Sequence, residues 1–174
     1  MEIKKTRLAV FDFDGTLFMT PLPDTGKDIF KEKTGQDWPH KGWWGKGESM
    51  DSNIFNIPPV DSVLADFKIE RANPETVVVL LTGRRENLGD LVKEITDKHE
   101  LEFDEYHFNN GGATETFKMK TLDRLLIKYQ DIKEVALWDD RLEHIPHFEQ
   151  WGKTAVTDGR IKDFEITVVP ADRH

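Results

Sequence analysis

Two carboxylates close a short apolar run in Leu8-Ala9-Val10-Phe11-Asp12-Phe13-Asp14-Gly15-Thr16, and that juncture limits what the chain can become. Leu8 to Phe11 reads as a strand buried on both faces, as the strands of a parallel sheet are. Asp12 and Asp14 then stand where such a strand leaves the core. Like charges this close repel and raise each other's pKa unless a cation or a bound proton intervenes, and a divalent metal is the natural remedy. Gly15 permits a tight turn whose backbone N–H groups can face an anion. The plainer alternative is a strand-to-turn junction, because Asp-Gly is a frequent turn dipeptide. Read for chemistry, Asp12 is placed as a carboxylate nucleophile that accepts a phosphoryl group, with Asp14 as the acid and base.

The same pattern of apolar run followed by polar cluster recurs. Val77 to Leu81 ends in Thr82-Gly83-Arg84-Arg85, and Val135 to Trp138 ends in Asp139-Asp140-Arg141. Between these runs lie helical stripes at i, i+3, i+4 and i+7: Val60, Val63, Leu64 and Phe67; Leu88, Leu91, Val92 and Ile95; Leu122, Leu125, Leu126 and Tyr129. Asn73-Pro74 ends the first stripe. Further expectations are a strand over Phe103 to Phe108, a short helix around Ile145 to Trp151, and late strands at Thr154 to Val156 and Glu165 to Val169. Strands alternating with helices predict an α/β fold with a mainly parallel sheet covered on both faces. In such a sheet, ligands bind beyond the carboxyl ends of the strands, so the polar clusters are expected to meet in one crevice.

Each cluster carries donors or acceptors suited to a phosphate. Thr82 offers a hydroxyl and Gly83 a flexible backbone N–H, expected at a helix N-terminus where the dipole favours anions; a capped strand-to-helix turn is the bland reading of the same pair. Arg84 adds a guanidinium that can grip a phosphate through two bonds, with Arg85 as the fallback. Phosphoryl transfer also needs a cation against the oxygens. Lys118 precedes Leu122, Leu125 and Leu126 on one helical face and so points toward the sheet, whereas Lys120 falls off that face. Asp139 and Asp140 with Asp12 and Asp14 form an oxygen-rich set without cysteine, which suits Mg²⁺ rather than zinc. A helix N-cap accounts for one of the adjacent acids but not for both. His144 and His147 lack an evident third ligand.

Taken in order, DFDGTLF, LTGRRE, TFK and WDDR resemble the motifs of the haloacid dehalogenase (HAD) superfamily, whose members are mostly magnesium-dependent phosphatases. More narrowly they resemble the Swiss Army Knife RNA repair-like branch and the phosphatase half of bacteriophage polynucleotide kinase-phosphatases. The matching motifs run from Asp12 to Arg141. The resemblance implies a HAD-like Rossmannoid three-layer sandwich, a single domain over 1–174 with a small cap insertion at about 18–59. It implies Mg²⁺-dependent phosphomonoester hydrolysis through an aspartyl-phosphate, with Asp12 as nucleophile and Asp14 as acid and base. Thr82, Gly83 and Lys118 would bind the phosphate, and Arg84 would contact substrate. Asp12, Asp139 and the Asp14 backbone carbonyl would hold the metal, with Asp140 ligating through water or orienting Lys118. The substrate implied is a 3′-phosphate on a nucleic acid end, and a kinase or ligase is the expected repair partner. In one respect the chain departs from the bacteriophage pattern: no arginine lies between Arg7 and Arg71, so Lys27, Lys31 or Lys41 would have to substitute. Phosphatase action on a nucleotide or other small phosphoester is therefore the first alternative. A non-catalytic phosphate-sensing or partner-binding domain is another, although such a module needs no second catalytic carboxylate.

The segment from Phe18 to Pro59 has no sustained apolar period and many Pro, Gly, Asp and Trp residues, which predicts an insertion over the strand ends with a short helix at Asp28 to Lys33. Trp38, Trp43 and Trp44 fall in it beside His40, Lys41 and Lys46. They read either as a base-stacking surface or as the insertion's own miniature core. At 174 residues the chain suits one domain, and a net charge of -9 argues against a broad basic face for duplex nucleic acid. The apolar run before Asp12 is too short for a signal peptide or membrane span, and with no cysteine present the expectation is a cytoplasmic protein.

Overall fold

The computed structural model of the protein describes residues 2–170. Five parallel strands form one sheet: β1 (Arg7–Phe11), β2 (Thr76–Arg85), β3 (Glu105–Asn109), β4 (Glu134–Asp139) and β5 (Asp163–Val168), in the order β3-β2-β1-β4-β5. The helices are α1 (Pro23–Thr34), α2 (Asp61–Ala72), α3 (Gly89–Lys98), α4 (Thr114–Lys128) and α5 (Ile145–Thr157). The chain builds outward from β1 to β3 and then returns to lay β4 on the other side of β1. That reversal puts the topological switch point between β1 and β4, where a crevice must open.

Strand periodicity sorts the core into two layers. Ala9, Phe11, Val78, Leu80, Ala136 and Trp138 face α2 and α3, where Val63, Phe67 and Val92 pack on them. Leu8, Val10, Val79, Leu81, Val135 and Leu137 face α4 and α5, against Leu122, Leu125, Phe148, Trp151 and Ala155. The first layer is aromatic at its centre: Phe11 stacks on Trp138, with ring centroids 4.2 Å apart. This is the three-layer HAD-type sandwich that the sequence implied, and its sheet is parallel throughout.

Three local expectations need correction. Thr154 to Val156 is not a strand: α5 continues to Thr157, with Phe148, Trp151, Gly152 and Ala155 buried along one side. Gly152 and Ala155 give that stripe little hydrophobic weight, which hid the helix. Likewise α1 begins at Pro23, well before Asp28, because proline at N1 presets the helical φ, and its buried residues are only Gly26 and Phe30. Finally, no helix starts at Thr82-Gly83. The strand β2 runs through both to Arg85, and α3 begins only at Gly89. The backbone there stays paired to β3, through Thr82 with Phe108 and Arg85 with Asn109, across a shift in register.

The insertion folds on its own small core, Trp43 between Phe30 and Phe55, with Trp38 and Trp44 half-buried beside them. An isolated antiparallel bridge between Phe18 and Pro59 draws its two ends together. Met50 belongs to the main aromatic layer, and Ile57 packs against both clusters. Among the described residues, no helix is long and apolar enough to cross a membrane.

Replacing Gly26 sets two effects against each other. Alanine is favoured over glycine within a helix by about 1 kcal/mol, whereas a Cβ at this position overlaps the buried Trp43 ring, and overpacking costs about 1–3 kcal/mol. The clash outweighs the propensity gain, so Gly26→Ala lowers the urea midpoint. An unchanged or raised midpoint would show that Trp43 is not wedged against α1.

Candidate active site

Register and alternation together assemble the acids. Phe11 pairs with Trp138, and the Asp12 N–H donates to the Trp138 carbonyl at 3.1 Å, so Asp12 and Asp139 leave the sheet side by side. Both fall in step with Val10 and Leu137, whose side chains face α4. From that helix Lys118, 2% exposed, donates to Asp12 Oδ1 and to Asp139 Oδ2, each at 2.8 Å. Lys120 is exposed, so of the two candidate lysines it is Lys118 that the helix brings to the acids.

Asp12, Asp139 and Asp140 each offer an oxygen within 4.8 Å of the others, and all three are buried. Burial pushes the Asp12 carboxyl well above the usual carboxylate range; Lys118 opposes this, while Asp139 and Asp140 add to it. Burial alone would weaken the Lys118 ammonium, yet Asp12 and Asp139 more than reverse this and hold its pKa above the ordinary value. Three carboxylates stand together beside one ammonium, so the site has room in its charge balance for another cation. The adjacent acids differ in their partners. One Asp139 oxygen accepts from Lys118, and the other accepts the Arg141 N–H at 3.0 Å. Asp140 instead lines the cleft.

The cleft measures about 400 Å³ and opens between the strand ends and the insertion. Asp12, Asp140 and Lys118 line it together with Asp14, Gly83, Arg84 and Thr114, while Leu22 and Trp44 of the insertion and Arg141, Leu142 and Glu143 also border it. Gly83 is glycine for want of space: any Cβ would fall 2.6 Å from the Thr114 side chain at the start of α4. Thr82 is 1% exposed, and its hydroxyl accepts the Arg84 N–H at 3.1 Å.

Asp14 and Arg84 meet where sequence reasoning had assigned them separate tasks. Arg84 Nε donates to Asp14 Oδ2 at 2.9 Å and Nη2 to Oδ1 at 2.7 Å. Its Nη1 donates to the Trp44 carbonyl at 2.7 Å and to Ser49 Oγ at 2.6 Å. The two-bond grip expected for a phosphate is thus closed on Asp14. Arg85 is exposed.

Several contributors had escaped the sequence reading. The Thr16 hydroxyl donates to Asp12 Oδ2 at 2.9 Å and lies 3.5 Å from Asp140 Oδ1. The Thr20 hydroxyl donates to Asp14 Oδ1 at 2.6 Å. Thr16 was visible within the Asp-x-Asp-Gly-Thr run, but nothing in the sequence marked Thr20 or Ser49. The histidines part company: His144 is buried edge-on to Phe148, and His147 is half-exposed with Nδ1 3.2 Å from Glu115. In the insertion Trp43 is buried, Trp44 reaches the cleft, and His40 pairs with Glu48.

The chain resembles known proteins along most of its length. It is 24% identical over 169 residues to an uncharacterized protein of Saccharomyces cerevisiae, covering 84% of this chain but only 37% of the yeast protein. Among solved structures, a chain of the Pnkp1/Rnl/Hen1 RNA repair complex superposes with a TM-score of 0.54 at 16% identity, over 97% of this chain and 47% of that one. The HAD domain of the effector protein Lem4 from Legionella pneumophila gives 0.58 at 12% identity, over 99% and 90%. A β-phosphoglucomutase from the archaeon Pyrococcus sp. strain ST 04 gives 0.55 at 15% identity, over 84% of each chain. The present chain therefore spans less than half the length of the yeast relative and of the repair-complex chain. At these identities the structural likeness establishes the HAD fold. Residues 33–174 also match the model of HAD domain family 1 in Swiss Army Knife RNA repair proteins. The chain belongs to that family of HAD domains.

Proposed function

We propose that this domain hydrolyses phosphomonoesters with Mg²⁺ as cofactor, through an aspartyl-phosphate on Asp12, and that it acts on the 3′-phosphate of nucleic acid ends. The observation that carries the reading is the meeting of Asp12, Asp139 and Asp140, the first two bonded to Lys118, at the floor of a cleft that Asp14 also lines. A phosphate sensor has no use for that second, separately held carboxylate.

The donor set fits the metal. Three carboxylates offer only hard oxygen atoms, and burial, with Asp139 and Asp140 adding to it, disfavours an uncompensated charge on Asp12. Asp12 and Asp140 would hold Mg²⁺ with the backbone carbonyl of Asp14, and Asp139 would contribute while it orients Lys118. When bound, the ion would neutralise the phosphate oxygens that otherwise repel a carboxylate nucleophile.

The side chains divide the remaining work. Lys118 and Thr16 fix the two oxygens of Asp12, which limits the rotations open to the nucleophile. An Asp12 oxygen bonds to phosphorus as the ester oxygen departs, and Asp14 supplies the proton that oxygen takes. Water then attacks the aspartyl-phosphate, Asp14 accepts its proton, and inorganic phosphate leaves with Asp12 restored. Gly83 lines the same cleft as Lys118, and its backbone would border the phosphate there.

The polynucleotide reading is supported by the Swiss Army Knife RNA repair family and by the likeness to the Pnkp1/Rnl/Hen1 complex, which also favour a kinase or ligase partner. Locally it is supported by Trp44, Arg141 and the exposed Leu142 at the cleft, which can stack a base and meet a backbone phosphate. A second reading, a nucleotide or other small phosphoester, is favoured by the cleft's size of about 400 Å³, which a single nucleotide-sized ligand fills.

Asp12→Asn should fold normally and lose turnover by at least about a thousandfold; retained activity would refute the covalent route. Chelation with EDTA should abolish hydrolysis and excess Mg²⁺ restore it. Mg²⁺ alone, at about 100 times its dissociation constant, should stabilise the fold by about 2.7 kcal/mol. Activity indifferent to EDTA would remove the metal from the proposal. Comparing a 3′-phosphorylated oligonucleotide with a nucleoside 3′-monophosphate separates the two substrates, because a strand-binding enzyme prefers the oligonucleotide and loses that preference as salt rises. Equal kcat/KM at low salt would favour the small phosphoester.

A further inference from the structure

We infer that Arg84 is a positioning residue for Asp14, and that through Arg84 the insertion sets the orientation of the proton-transfer carboxylate. The inference rests on the phosphatase reading above and changes the part Arg84 plays in it, from substrate contact to internal brace. The Arg84 side chain is 1% exposed, although it borders the open cleft. Four of its five N–H donors are engaged: two on Asp14, one on the Trp44 carbonyl and one on Ser49. Fork-on-fork pairing fixes the plane of a carboxylate as well as its distance, which a single-point contact cannot do.

The remaining geometry serves the same end. The Ser49 hydroxyl donates to the Lys46 carbonyl at 2.7 Å, which leaves its oxygen turned to accept from Arg84. The Trp44 ring lies over the guanidinium, 5.1 Å from centroid to Cζ, and shields it from water. The β2–β3 register shifts between Thr82 and Arg85, and irregularities of this kind re-aim side chains near active sites. Thr20, just inside the insertion, adds a third bond to Asp14. The carboxylate is therefore oriented by β2 and by two separate parts of the insertion. Movement of the Trp44–Ser49 segment would be transmitted to it through Arg84.

The test uses leaving groups. An alkyl phosphate such as β-glycerophosphate needs its departing oxygen protonated, whereas 2,4-dinitrophenyl phosphate does not. Because kcat/KM reports the steps up to the first irreversible one, it isolates formation of the aspartyl-phosphate. Arg84→Lys should lower kcat/KM on the alkyl substrate by about a hundredfold, mainly through kcat, and on the dinitrophenyl substrate by less than a tenth of that factor. Arg84→Lys combined with Asp14→Asn should be no worse than Asp14→Asn alone, since the brace is useless once the braced carboxylate is gone. Equal losses on both substrates with a raised KM, additive with Asp14→Asn, would make Arg84 a substrate contact and overturn the inference. If Arg84→Lys fails to fold, Ser49→Ala carries the test, because it leaves Arg84 and Asp14 in place and removes one acceptor of the brace. A smaller loss confined to the alkyl substrate supports the inference, and an even loss across both overturns it. Full alkyl phosphatase activity in Asp14→Asn would be a different failure, sinking the proton-transfer reading on which the inference stands.

Discussion

One ammonium group holds this site together. Lys118 bonds at once to the acid that ends β1 and to the acid that ends β4, and it does so out of water. Removing the ammonium from a buried cluster of this kind leaves the carboxylates uncompensated, which is worth several kcal/mol. The two strands, the helix α4 that carries the lysine and the crevice between β1 and β4 are therefore mutually dependent. The β1–β4 register shares in this dependence: a slip of one residue would turn Asp12 or Asp139 to the opposite face of the sheet, where α2 and α3 pack on Phe11 and Trp138.

The parts of this arrangement legible in the sequence were those written in periodicity. The apolar runs ending at Asp12 and Asp139 fixed two strands and the positions of their acids. The spacing from Lys118 to Leu122 and Leu125 then aimed the lysine inward, and α4 buries all three. Long-range pairing was less visible. Nothing in the order Thr82-Gly83-Arg84-Arg85 indicated that the strand would continue through it, because the turn-like glycine is explained only by Thr114, distant in sequence. Nor could the chain announce that Arg84 would spend its fork on Asp14. A guanidinium beside an expected phosphate site and one clamped on a carboxylate look alike in sequence, and only the fold decides between them.

The tryptophans illustrate a second limit. Both readings of the insertion's aromatics were reasonable, and the fold divides them by position: Trp43 fills the small core, whereas Trp44, next along the chain, reaches the cleft and covers Arg84. Adjacent residues in irregular backbone can face opposite ways without a period to reveal it. The missed α1 start and the hidden end of α5 share a cause, since glycines packed closely against aromatic rings bury a helix without adding hydrophobic signal.

Met50 and Ile57 embed the insertion in the same apolar mass as the sheet. To hinge it wide open would expose that mass, along with the aromatic layer beneath it, to solvent. The entrance therefore behaves as an aperture of fixed gauge rather than as a door. Selection then falls on girth: a group slender enough for a cleft of about 400 Å³ can reach its floor, while a bulkier one is stopped at the rim.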